Sequence, residues 1–175
     1  MILPPSPVEL ILSQRAAKSL RVRQLAPLSD NPSHFAVQWR VEFCKDWAGQ
    51  NLFVVTNLAT LFTFLIPRAQ KQTRPDLERN FRTRLGFALL AGEPLLDWKP
   101  DQIIFARSNP RKVIGSMNDM IYNLQFEPTE ALRQAFPDLD EEDNLNHTPF
   151  SAIGPKGRMD FPDKVWIAAI ANLAE

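Results

Sequence analysis

FAVQWRVEF, residues 35–43, is the stretch that decides how the fold is read. Phe35, Val37, Trp39, Val41 and Phe43 alternate with Ala36, Gln38, Arg40 and Glu42, the period of two expected of a strand with one large apolar face. A face of that size needs a cover. Downstream, Leu52 to Thr56 and Leu61 to Ile66 are two more apolar runs separated by Asn57 to Thr60, a spacing that predicts a hairpin with a four-residue loop. Pro67 should end the second of these strands, because it has no N–H to give to a ladder.

Between Pro75 and Gly92 the period lengthens to nearly four. Leu77, Phe81, Leu85, Ala88 and Leu89 form one helical stripe, Pro75 and Asp76 suit a first turn, and Gly92 suits a stop. This helix is the predicted cover for the sheet. Gln102 to Ala106 reads as a further strand, and Pro162 opens a last helix whose Val165, Trp166, Ala169, Ile170 and Leu173 face one way. Helical pieces are expected near Thr129 to Phe136 and Asp140 to Asn146, with a turn at Gly154 to Arg158.

Upstream, Val8 to Leu12 is a short strand candidate, Gln14 to Leu20 a short helix, and Leu25 to Ser33 a polar, proline-containing connection. Met1 to Pro7 carries three prolines and reads as a loosely held lead-in. Strands thus gather early and helices late, with no regular βαβ alternation. The expectation is an α+β fold, a mainly antiparallel sheet of about four to five strands covered by helices concentrated in the C-terminal half.

The composition, 175 residues with 45% apolar and 23% charged, suits one globular domain spanning residues 1–175. The lone cysteine, Cys44, has no internal partner for a disulfide, and no apolar run reaches the roughly 18 residues of a membrane span. A cytoplasmic protein is the expectation. Charge is balanced overall but uneven along the chain: residues 1–112 hold 16 Lys+Arg against 9 Asp+Glu, and residues 113–175 hold 4 against 11. Such asymmetry would steer an anionic partner to the first part unless folding brings the halves together.

Several chemistries are poorly supported. Cys44, His34 and His147 lack the surroundings of a nucleophile and base, and their spacing matches no metal site. The six glycines form neither of the two common nucleotide-binding loops. Asp138, Asp140, Glu141, Glu142 and Asp143 lack the order of a calcium loop and read as a solvated helix start. Arg68, Lys71, Arg74, Arg79, Arg82 and Arg84 make a basic run, but on a helix Arg79, Arg82 and Arg84 point in different directions, so nucleic acid is not the favoured partner. No cofactor or metal is expected.

What remains is NPRKVIGSMNDMIYNL, residues 109–124. With Asn109 as cap and Pro110 in the first turn, Val113, Met117, Met120, Ile121 and Leu124 share an apolar face. Lys112, Ser116, Asp119 and Asn123 then form a polar ridge beside it, with Arg107, Asn109 and Arg111 near a helix start that favours anions. A later start is the alternative, in which Ser116 and Asp119 form a capping box and are purely structural. In LNHTPFSAIG, residues 145–154, Thr148 before Pro149 again reads as a cap, Gly154 as a stop, and Asn146, His147, Thr148 and Ser151 as residues able either to face the ridge or equally to satisfy buried backbone groups.

GSMNDMIYNL at Gly115 to Leu124 and LNHTPFSAIG at Leu145 to Gly154 resemble the paired signatures of an uncharacterised bacterial domain-of-unknown-function family, an SMND-type helix followed by an LNxTPxSAxG segment. The hairpin NLFVVTNLATLFTFLIP at Asn51 to Pro67 is similar to that family's strand pair, so the likeness spans about Phe35 to Gly154. The termini depart from it. The resemblance implies a bacterial-type cytosolic domain and carries no activity. Two functional readings follow from the residues. One is a non-catalytic binding or regulatory domain for a small molecule or protein, using Arg107, Asn109, Arg111, Lys112, Ser116, Asp119, Asn146 and Thr148. The other is an enzyme acting on a phosphate-bearing small molecule or nucleic acid, with Asp119 as base and Arg107 and Arg111 holding the anion.

Overall fold

A computed structural model describes residues 6–67, 73–90, 98–126, 141–153 and 159–173. The strands are β1 (Val8–Leu12), β2 (Ala26–Pro27), β3 (Gln38–Lys45), β4 (Asn51–Asn57), β5 (Thr63–Pro67) and β6 (Ile103–Arg107). Five helices stand among the described residues: α1 (Gln14–Leu20), α2 (Arg74–Leu90), α3 (Arg111–Leu124), α4 (Glu141–Asn146) and α5 (Pro162–Leu173). The expected helix near Thr129 to Phe136, the stops at Gly92 and Gly154, the turn at Gly154 to Arg158, and Arg68, Lys71, Asp138 and Asp140 lie outside the described residues.

The strands form one sheet in the order β2-β6-β1-β3-β4-β5. The ladders joining β2 to β6, β6 to β1 and β1 to β3 are parallel, and only those from β3 to β4 and β4 to β5 are antiparallel. The fold is therefore α/β with a mixed, mostly parallel sheet, not the mainly antiparallel α+β arrangement expected from sequence. The physical reason is that the crossovers leave little local signal. β1-α1-β2 ends in a two-residue strand hidden in the proline-containing connection, and β5-α2-β6 returns the chain past three strands, β4, β3 and β1, to lie beside β1.

The alternation that opened the reading holds from Trp39 onward, while Phe35–Val37 form a single 3₁₀ turn before β3. Trp39 is fully buried and sits among Phe64, Phe81 and Trp166, with ring centroids 5.1, 5.6 and 5.4 Å away. Two of the buried indole nitrogens find carbonyls, Trp39 Nε1 donating to Ala36 and Trp166 Nε1 to Ala88, while Trp98 Nε1 meets no acceptor among the described residues. The α2 stripe of Leu77, Phe81, Leu85, Ala88 and Leu89 is buried against this face, as the period near four predicts. Thr73 opens α2: its amide and hydroxyl both donate to Asp76, holding that carboxyl below the usual range.

The opposite face has its own core. Val113, Met117, Met120 and Leu124 of α3 meet Val54 and Leu65 of the hairpin, together with Leu145 and Phe150. On that face β1 and β3 carry polar side chains beside the buried Ile11 and Cys44: Glu9 accepts from the Ser29 amide at 2.9 Å and from Gln38 at 2.8 Å, tying the 28–34 connection across the strands. No helix among the described residues is long and apolar enough to cross a membrane.

Candidate functional site

β1 and β6 are parallel neighbours, yet the helices that follow them go to opposite faces. α1 buries Ala16, Ala17 and Leu20 in the Trp39 core, and α3 buries its apolar side in the other one. Chains that leave adjacent carboxyl ends in opposite directions open a crevice between them, the usual place for a ligand in an open α/β sheet. Here the crevice is a cleft of about 870 Å³. Ser13, Gln14 and Lys18 line one side, Arg107, Ser108 and Asn109 the other, and Arg40 reaches in from β3.

Each wall has a local cause. Ser13 caps α1 by accepting the Ala16 amide at 3.1 Å, and its own amide is bound to Val41, so the β1-α1 turn is fixed from both sides. Arg40, 7% exposed, donates twice to Glu42, at 2.7 and 3.1 Å, and once to the Ser108 carbonyl at 3.2 Å. That last bond anchors the β6-α3 loop over the sheet. With Arg40 paired to Glu42, Lys18 and Arg107 make the lining cationic, and among the described residues no carboxylate lines it.

Of the residues singled out in the sequence, Arg107 and Asn109 belong to this cleft, and Arg111 and Lys112 are exposed in the first turn of α3 next to it. Asn109 is not the cap: the cap position is Pro110, which offers no side-chain hydrogen bond. The later helix start at Ser116 is not adopted either, since α3 begins at Arg111 and the Ser116 hydroxyl, itself buried, donates back to the Lys112 carbonyl at 3.4 Å. Asp119 is exposed on α3.

Asn146 and Thr148 go elsewhere. Asn146 is buried against β5, at the far end of the sheet from β6, with its amide spent on the backbone of Thr63 and on the Glu142 carbonyl. Thr148 donates to the Asn144 carbonyl at 2.8 Å and so closes α4 instead of capping a following helix. The two motifs do adjoin, but through Met120, Leu124, Leu145 and Phe150, the apolar sides, and not through the polar ridge. Glu142, expected in solvent, accepts the Leu65 amide at 2.8 Å and pairs with Arg84.

The other reactive side chains are dispersed. His34 packs edge-on to Trp98 with centroids 4.5 Å apart, its pKa lowered by burial. His147 stands 3.5 Å from Asp163. Burial, then the charges of Asp46 and Glu42, push the Cys44 thiol up from 9.0 to about 11, the reverse of an activated nucleophile. Among the described residues no three His, Cys, Asp or Glu side chains are placed to hold a metal ion.

Sequence reasoning missed Arg40, Lys18, Ser13 and Gln14. Arg40 looked like one polar residue of an alternating strand; only its pairing with Glu42 two residues on, on the same face, hinted at burial. No curated protein and no solved structure matches the chain at a significant level. The profile of one family does match, over residues 10–165, nearly the whole length and including β3, β6 and the end of β1, so the chain belongs to the family described as Domain of unknown function (DUF6933).

Proposed function

We propose that this chain is a non-catalytic binding or regulatory domain of the bacterial cytosol that takes an anionic small molecule in the crevice between β1 and β6. The observation that carries the reading is the lining itself: Lys18 and Arg107 around a cleft at parallel carboxyl ends, with Arg40 neutralised by Glu42 and anchoring Ser108. Arg107 and Asn109 meet the ligand at the mouth, and Arg111 and Lys112 extend the positive surface beyond it. Ser116, Asn146 and Thr148 support the fold through the backbone bonds already described.

The enzymatic alternative needs a base beside the anion. Asp119 lies eight residues along α3 from Arg111, a rise of about 12 Å, and is not among the residues lining the cleft. That separation favours binding over catalysis.

Thermal unfolding in the presence of inorganic phosphate, pyrophosphate and sulfate tests the reading, because a ligand of the native state raises its apparent stability. At a hundred times Kd the gain is about 2.7 kcal/mol. The expected result is a concentration-dependent rise in Tm for at least one anion, abolished in Arg107→Glu and retained in Asp119→Ala. No rise with any of the three, or a rise unchanged in Arg107→Glu, overturns it.

A further inference from the structure

A second cleft, of about 630 Å³, lies beside the first at the same end of the sheet. Ser13 and Gln14 line both, so the two are separated only by the start of α1. Their chemistry differs. The first is cationic; the second presents three amide side chains, Gln14 at the start of α1, Asn118 on α3 and Gln125 at its C-cap, beside the apolar surface of Ile121. Asn118, Ile121 and Gln125 are spaced at i, i+3 and i+7, so one stripe of α3 supplies that whole wall.

Amide side chains offer a donor and an acceptor on the same planar group, the arrangement that matches the edge of a nucleobase. The apolar surface of Ile121 suits one face of a flat ring. An anion site and an amide-lined site that share a wall call for a ligand with both parts in one molecule.

We infer that the two clefts are halves of one site for a nucleoside phosphate, the phosphate beside Arg107 and Lys18 and the base against Ile121, read by Gln14, Asn118 and Gln125. The inference rests on the anion-binding reading above and names its ligand class. Arg15, Lys45 and Glu42 also line the second cleft, and the Glu42 carboxylate is engaged by Arg40, which leaves the two cations to face a ligand that carries net negative charge.

Isothermal titration of the full chain with inorganic phosphate, with the four ribonucleoside monophosphates and with a short single-stranded oligonucleotide tests it. At least one monophosphate should bind more tightly than phosphate by about tenfold or more, equivalent to about 1.4 kcal/mol. Asn118→Ala and Gln125→Ala, both at exposed positions, should remove that gain and leave phosphate binding unchanged, whereas Arg107→Glu should weaken both. Tighter binding of the oligonucleotide with the same dependence on Asn118 supports the same chemistry within a strand; weaker binding assigns it to the free nucleotide. Phosphate binding with no gain for any nucleoside phosphate, or a gain that survives both amide substitutions, overturns the inference and leaves the anion site standing. Loss of all binding overturns both.

Discussion

Asn146 Oδ1 accepts the amide of Thr63 at 2.8 Å while its Nδ2 donates to the Thr63 carbonyl at 2.7 Å, so one side chain closes both outward backbone groups of a residue on the edge strand. One turn earlier on α4, Glu142 accepts the Leu65 amide, and Arg84 from α2 donates to the Leu65 carbonyl. The helix thereby does for β5 what a seventh strand would do. Asn146→Ala should cost about 1 to 3 kcal/mol, the penalty for leaving buried peptide groups unbonded. Asn146→Asp should also destabilise, because a carboxylate has nothing to donate to the Thr63 carbonyl. Urea unfolding of both variants measures this; an Asp variant as stable as the parent would falsify the pairing.

The Arg40–Glu42 pair is the second place where a polar contact is buried, with side chains only 8% and 16% exposed. Removing one partner leaves a charge without compensation, so Arg40→Met should cost about 3 to 5 kcal/mol. Adding Glu42→Leu should restore part of that loss. Denaturant midpoints for the two single variants and the double variant give the coupling, and strict additivity would mean that the two side chains act independently.

Phe81 is fully buried with its ring edge-on to Trp39, whereas Phe87 on the same helix is 65% exposed. Phe81→Ala should therefore cost about 3 to 5 kcal/mol, and Phe87→Ala should stay within about 0.5 kcal/mol. Equal effects at the two positions would contradict the orientation of α2 on the sheet.

Cys44 predicts a pH dependence. Its folded pKa is raised, so the stability that depends on keeping the neutral thiol is present below the ordinary value of 9.0 and is lost as pH rises toward about 11. Unfolding free energy should fall across that window in the parent and fall less steeply in Cys44→Ala. At pH 8 a thiol reagent should label the unfolded chain much faster than the native one; equal rates would show that the thiol is not held in its neutral form.

Features with a short period were legible in the sequence, and features that depend on partners far along the chain were not. The stripe Leu77, Phe81, Leu85, Ala88 and Leu89 and the face Val113, Met117, Met120 and Leu124 follow from spacing alone, and both are buried. Strand order does not. Nothing local to Val8–Leu12 indicates that its neighbours are strands beginning at Gln38 and Ile103, and a two-residue β2 ending in proline gives no strand signal at all. The site was legible in half: Arg107 and Asn109 precede a visible helix, but Lys18 and Arg40 join them only through the crossover that carries α1 to the other face. For Asn146 the sequence left a ligand-facing and a backbone-satisfying role equally open, because its partner, Thr63, is 83 positions away.

That distance matters while the protein is being made. β5 leaves the ribosome long before α4, so a nascent chain already holding its hairpin displays the bare rim of Thr63 and Leu65 until some eighty further residues have been translated. For that interval another extended segment, from the same polysome or a neighbouring chain, can occupy the place reserved for Asn146 and Glu142. Slow translation between the two would lengthen the exposure, and truncation before residue 141 would make it permanent.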